Sequence, residues 1–188
     1  MTGSANPHDT ARMTDSPSPA LTASALSRLD QAAFVAHLGS VYEHSPWIAE
    51  RAWLSRPFPH REGLHLAMAE ALRLASRSEQ LTLILAHPEL TGKASVHATL
   101  TADSTREQRG AGLDQCTPEE YERLQTLNAQ YRARCGFPFI LAVAGRNRHE
   151  ILAALTERLT TTPEQEFETA LNQIIRIAAF RLASLVAD

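Results

Sequence analysis

Cysteine, basic excess and long apolar runs are what this chain has little of, and each scarcity excludes something. Only Cys116 and Cys135 are present, too far apart for a CxxC redox or zinc pair. A disulfide between them is formally allowed, but two idle thiols in a reducing compartment is the simpler expectation. Lys and Arg number 18 against 21 Asp and Glu, for a formal net charge of −3. With the cations scattered among acids there is no electrostatic footprint for nucleic acid. No apolar run approaches the ~20 residues of a membrane helix, and the N-terminus lacks the apolar stretch of a secretory signal. Cytoplasm is therefore the expected location. Alternating Val, Ile, Thr and Tyr are nearly absent, which argues against sheet. No Gly-rich phosphate loop, GxSxG elbow or Cys–His signature occurs. The pairs His87 and Glu89, His60 and His65, and His37 and His44 lack the i, i+4 spacing of a helical zinc site, so no metal is expected.

What remains is helical. From Leu21 onward Leu and Ala recur every three or four residues, predicting an all-α body of about eight helices in one compact domain over 21–188. Residues 1–20, rich in Ser, Thr, Pro, Asp and Gly, cannot bury enough apolar surface to offset the entropy of ordering and read as a disordered leader. The first clear helix spans Asp30–Leu38 and stops at Gly39, a residue suited to a left-handed C-terminal turn. Ser45 and Pro46 are expected to cap a second helix through Ala52, which Pro57 and Pro59 end. Further helices are predicted over Glu62–Ala75 and, from a Ser78–Glu79 start, through Ala86. Pro88 disfavours an α conformation at His87, placing that histidine at a helix exit. Ser104 with Glu107 has capping-box spacing, and Thr117-Pro118-Glu119-Glu120 opens a long helix through Tyr131. Gly136–Val143 fits either an extended segment or a buried loop. Two more helices follow, Arg148–Leu159 and Pro163–Val186.

Two segments gather proton-transfer groups in a Leu- and Ala-rich context: Ala86-His87-Pro88-Glu89-Leu90 and Ser104-Thr105-Arg106-Glu107-Gln108. Each group also has a structural explanation. His87 can simply satisfy a carbonyl at the helix end. Glu107 can be the partner of a Ser104 cap, a contribution of about 1 kcal/mol. Arg181, on a helix whose apolar stripe is Ile174, Ile177, Ala178, Leu182 and Leu185, can snorkel to the surface.

The ordered series of blocks changes that balance. Glu43-His44-Ser45-Pro46-Trp47, the His87 and Ser104 segments, Gly110-Ala111-Gly112-Leu113, Asn128 with Tyr131, Phe137-Pro138-Phe139-Ile140 and Arg176–Leu182 together resemble the 2-oxo-4-hydroxy-4-carboxy-5-ureidoimidazoline decarboxylases. The resemblance covers nearly everything after the leader. It implies a cofactor-free, commonly dimeric, all-α enzyme of urate degradation that releases CO2 and (S)-allantoin. By the same resemblance His87 is the proton donor, and Glu107 the carboxylate that holds its tautomer or orients the substrate hydroxyl. Arg181 would steer the substrate carboxylate. Pro88, Ser104, Thr105, Arg106 and Gln108 belong to the substrate site, with Ser104 and Gln108 as donors one helical turn apart. Phe139, Ile140, Leu141, Ala142 and Val143 would read the planar urea-like edge through their backbone. Cys135 stands where many relatives have an aromatic residue, outside the implied catalytic set. Two other functions fit the same pattern: a helical binding module that has lost turnover, and an enzyme for another small ureido acid. An intact His87, Glu107 and Arg181 set argues against the first.

Overall fold

The computed structural model describes residues 20–90 and 101–188. The expected leader, apart from Ala20, lies outside the described residues. Within them the fold is all-α, as predicted: α1 Ala23–Leu26, α2 Gln31–Leu38, α3 Trp47–Ala52, α4 Arg61–Arg73, α5 Arg77–Ala86, α6 Ala102–Gly110, α7 Pro118–Cys135, α8 Arg148–Arg158 and α9 Pro163–Leu185. The short α1, capped by the Thr22 hydroxyl, is the element that the expected set does not include. Extended pairing among the described residues is a single parallel bridge between Thr22 and Ala187, which ties the two ends of the body together.

Local chemistry explains most boundaries. Asp30 caps α2, and Thr117 with Glu120 and Thr162 with Gln165 form capping boxes ahead of the prolines that open α7 and α9. Several expected ends differ. Gly39 has φ −64, so its freedom in the left-handed region is not used. A side chain there would meet the Val35 carbonyl at 2.7 Å, and lack of bulk is what the position requires. Pro46, rather than the Ser45 side chain, sits at the N-cap of α3, without a side-chain cap. α5 starts earlier than expected, at a capping box of Ser76 with Glu79.

One apolar cluster runs through the body, with Phe34, Leu64, Met68, Leu83, Leu124, Phe139, Leu155, Ile174 and Leu182 in it. Helix α9 packs against α4, α5 and α7, so its inner stripe is the axis on which the other elements assemble. Ile174, Ile177, Ala178 and Leu182 are buried as expected, while Leu185 is 40% exposed. Gly136, at φ 79, turns the chain out of α7 into Phe137–Val143. That segment is neither helix nor strand, yet every apolar residue in it is buried. The loop alternative is the one realised.

Candidate active site

Four elements converge on one pocket of about 350 Å³ of interatomic space, part of it open to solvent, lined by His87, Pro88, Leu90, Ser104, Glu107, Gln108, Phe139, Ile140, Leu141, Val143, Ile177 and Arg181. The exit of α5 supplies His87, one face of α6 supplies Ser104, Glu107 and Gln108, the buried loop supplies its backbone, and α9 supplies Arg181. Positions 104, 107 and 108 share a face because i, i+3 and i+4 coincide on a helix.

His87 is C-cap of α5 with extended φ/ψ of −74 and 135, as the following proline demands. Its Nδ1 lies 2.9 Å from the Leu83 carbonyl oxygen. A carbonyl only accepts, so Nδ1 carries the proton and Nε2 is the remaining nitrogen in the neutral ring. The Leu83 carbonyl, not Glu107, therefore sets the tautomer. Burial pushes the His87 pKa from 6.5 down to about 4. The Leu83 hydrogen bond and the negative charge of Glu43 oppose that shift, whereas the charges of Arg181 and His44 add to it. Burial thus keeps His87 neutral at pH 7.

Arg181 is 5% exposed and does not snorkel. Its Nε–H donates to Glu107 Oε1 at 2.8 Å and one Nη2–H to Glu107 Oε2 at 3.1 Å, a bidentate pair. The other Nη2–H donates to Ser104 Oγ at 3.2 Å. The Nη1 hydrogens go to Glu43 Oε2 at 2.8 Å and to the Val41 carbonyl at 3.3 Å. All five guanidinium hydrogens are engaged, so Arg181 has none left to grip a substrate carboxylate. Burial disfavours its charge, but the hydrogen bonds and charges of Glu107 and Glu43 more than compensate and raise its pKa.

Glu43 stands in the first of the sequence blocks without an expected role, and the structure brings it to the site. It precedes His44, whose φ of 48 is the single positive value at a non-glycine residue among those described. At 1% exposure its carboxylate accepts from Thr101 Oγ at 2.7 Å, Ser104 Oγ at 3.1 Å and Arg181. Burial pushes its pKa up, but the hydrogen bonds from Thr101 and Arg181 and the Arg181 charge outweigh that and hold it below the ordinary range. A charged residue beside the apolar Val41 and Tyr42 was the available signal, since a carboxylate in such a setting needs a buried partner. Glu43, Glu107 and Arg181 together carry one net negative charge.

Several expected roles change accordingly. The α6 cap is Thr101, whose side chain accepts from Ser104 N–H, so Ser104 and Glu107 do not form a capping box. The one hydroxyl proton of Ser104 goes to Glu43, which leaves Ser104 an acceptor rather than a donor toward a ligand. Thr105 bonds back to the Thr101 carbonyl, and Arg106, 73% exposed, pairs with Asp103, so neither lines the pocket. Ala142 donates its N–H to Gln173 Oε1 at 3.0 Å and is likewise absent from the lining. Leu90 and Ile177, which stand in the sequence blocks without a place in the expected site, complete the apolar wall. Gln108 Nε2 and Asn128 Nδ2 donate to the Glu89 and Leu90 carbonyls, pinning the chain just after His87. Among the described residues no cluster of three or more His, Cys, Asp or Glu has metal-site geometry.

An all-α scaffold enclosing a neutral histidine beside a buried carboxylate–guanidinium cluster defines a helical protein equipped for acid–base work on a small polar molecule. A family model described as OHCU decarboxylase matches residues 27–183. The chain belongs to that family and is thereby a carboxy-lyase. The 2-oxo-4-hydroxy-4-carboxy-5-ureidoimidazoline decarboxylase of Halalkalicoccus jeotgali is 43% identical over 165 residues, 88% of this chain and 92% of that one. The uric acid degradation bifunctional protein PucL of Bacillus subtilis is 44% identical over 163 residues, but this chain spans only 32% of it. A crystal structure of (S)-allantoin synthase superposes with a TM-score of 0.71 at 35% identity, covering 89% of this chain and 54% of that one. The chain thus spans about half the length of that solved protein.

Proposed function

We propose that this protein removes CO2 from 2-oxo-4-hydroxy-4-carboxy-5-ureidoimidazoline and yields (S)-allantoin, as a step of urate degradation, with His87 as proton donor and without cofactor or metal. The observation that carries the reading is the meeting, in one pocket, of a tautomer-fixed neutral His87 with the Glu107, Arg181 and Glu43 cluster.

The substrate explains why so little machinery suffices. Its carboxylate sits on a ring carbon that also bears a hydroxyl and adjoins a C=N bond. When the C–C bond to the carboxylate breaks, its electron pair forms a C=C bond to the former imine carbon, and the imine pair moves to nitrogen, which takes a proton. The hydroxyl then gives up its proton as its carbon becomes a carbonyl, and the former imine carbon takes a proton on one face. One proton is consumed overall, and the substrate is its own electron sink. The protein supplies orientation, charge placement and the stereospecific proton.

An anionic substrate beside His87 favours the imidazolium that burial disfavours, so binding loads the proton that the product needs. No cation among the described lining residues is left to clamp the carboxylate, since Arg181 is saturated. A strong grip would stabilise the ground state against loss of CO2, and its absence suits the reaction. Arg181 instead positions Glu107, which meets the substrate hydroxyl, and Ser104, which accepts an N–H of the ureido group. Gln108, Pro88 and the loop backbone complete the site, with the Leu141 and Val143 N–H groups, which meet no acceptor among the described residues, turned to the urea-like edge.

The catalytic domain in this reading is 21–188, and it works as a cytoplasmic homodimer. Leu54 and Leu74, 73% and 79% exposed, offer apolar surface for such pairing, and no described helix is long and apolar enough to cross a membrane. The test is turnover of freshly generated ureidoimidazoline by His87→Asn, which keeps a donor for Leu83 but has no titratable proton. A folded variant with near wild-type turnover overturns the assignment.

A further inference from the structure

The backbone of Phe137–Val143 has no helix or strand ladder to hold it, so its geometry at the pocket must be set by something behind it. Arg158 of α8 supplies one hold. Its Nη1–H donates to the Ile140 carbonyl at 2.7 Å, and its guanidinium lies 4.5 Å from the centre of the Phe139 ring. The same guanidinium is anchored on Glu166 of α9, with Nε and Nη2 at 2.8 and 2.6 Å from Oε2. Glu166 is 1% exposed and also accepts from the hydroxyls of Tyr131 and Thr161. Tyr131 in turn meets Phe139 edge to face at 5.2 Å. The second hold is independent: Gln173 of α9 accepts the Ala142 N–H at 3.0 Å. Neither Arg158, Glu166 nor Gln173 lines the pocket.

We infer that Arg158, braced by Glu166, and Gln173 are positioning residues for the reaction, clamping the Phe139–Val143 backbone from behind so that its pocket-side groups present a fixed edge to the ureido end of the substrate. The inference rests on the proposed substrate. A buried ion pair is weak evidence for a role in stability alone, since an apolar replacement often serves as well. Here both holds act within three residues of an irregular segment that lines the pocket, at the Ile140 carbonyl and the Ala142 N–H. A rigid edge matters because an edge left mobile must be ordered each time substrate binds, a cost that weakens binding without touching the chemical step.

The test uses the full chain in three variants. Gln173→Leu removes the acceptor at a half-buried site, Gln173→Glu keeps an acceptor there, and Arg158→Lys keeps charge but loses the planar fork. Hydrogen exchange across 137–143 and steady-state kinetics are both read. Gln173→Leu and Arg158→Lys should exchange faster in that segment alone and raise KM about five- to tenfold with kcat within about threefold, the mark of lost uniform binding. Gln173→Glu should match wild type in both. Unchanged exchange in Gln173→Leu overturns the clamp, and so does faster exchange with unchanged KM. A wild-type protein that does not turn over ureidoimidazoline counts against the proposed function instead. The exchange result still decides the clamp in that case, faster supporting it and unchanged overturning it.

Discussion

Replacing His87 by asparagine should change how stability depends on pH, apart from any effect on turnover. The unfolded imidazole takes up a proton near its ordinary pKa of 6.5, whereas in the folded protein burial delays that uptake to about 4. Between those values the unfolded state binds more protons, so wild-type stability falls as pH drops through the window and is fully present above it. The complete shift corresponds to about 3 kcal/mol. At pH 5 most of it is already lost, roughly 2 kcal/mol relative to pH 7. Asparagine does not titrate, so the wild-type protein should lose about 2 kcal/mol more than His87→Asn between pH 7 and pH 5, or about 4–8 °C in Tm for a chain of this size. Carboxylates such as Glu43 titrate in both proteins and largely cancel in the difference. Urea unfolding of both at fixed protein concentration and the two pH values measures it. Parallel losses in the two proteins would show that His87 titrates normally and that burial does not keep it neutral.

Three further outcomes follow from the same geometry. Arg181→Met leaves the buried Glu43 and the half-buried Glu107 without their cation and should cost about 3–5 kcal/mol in urea unfolding, whereas a snorkelling arginine would cost little. Glu107→Gln retains an oxygen for Arg181 but not the charge, and should lower turnover on the order of a hundredfold while the melting temperature moves by only a few degrees; small parallel losses in both would return Glu107 to a structural part. Because the substrate's imine takes the electron pair, turnover should survive exhaustive chelation, and loss with EDTA that one added metal restores would contradict the chemistry.

The helices were legible because their signals are local. Thr117 with Glu120 and Thr162 with Gln165, each followed by proline, announce α7 and α9 from a few adjacent residues. His87 at a helix exit follows from Pro88 alone. What the chain hides is pairing across distance. Glu43 and Arg181 are 138 residues apart, and no spacing rule says that their side chains meet. That meeting decides that Arg181 is a strut, that Ser104 accepts, and that Glu43 belongs to the site. The Ser104–Glu107 pattern misled for a related reason. Thr101 lies three residues earlier and takes the cap, freeing the α6 face for the pocket. Gly39 was misassigned because a glycine needed for close approach and one needed for a left-handed turn look alike in sequence.

Circular dichroism of the product formed from freshly generated ureidoimidazoline tests the central claim most directly, since uncatalysed breakdown offers no chiral proton donor. With wild-type protein, substrate should disappear faster than in buffer and the signal of (S)-allantoin should accumulate, while His87→Asn, folded by its far-ultraviolet spectrum, gives neither. Racemic product with wild-type protein, or an equal (S)-allantoin signal from His87→Asn, contradicts the assignment of the stereospecific proton to His87.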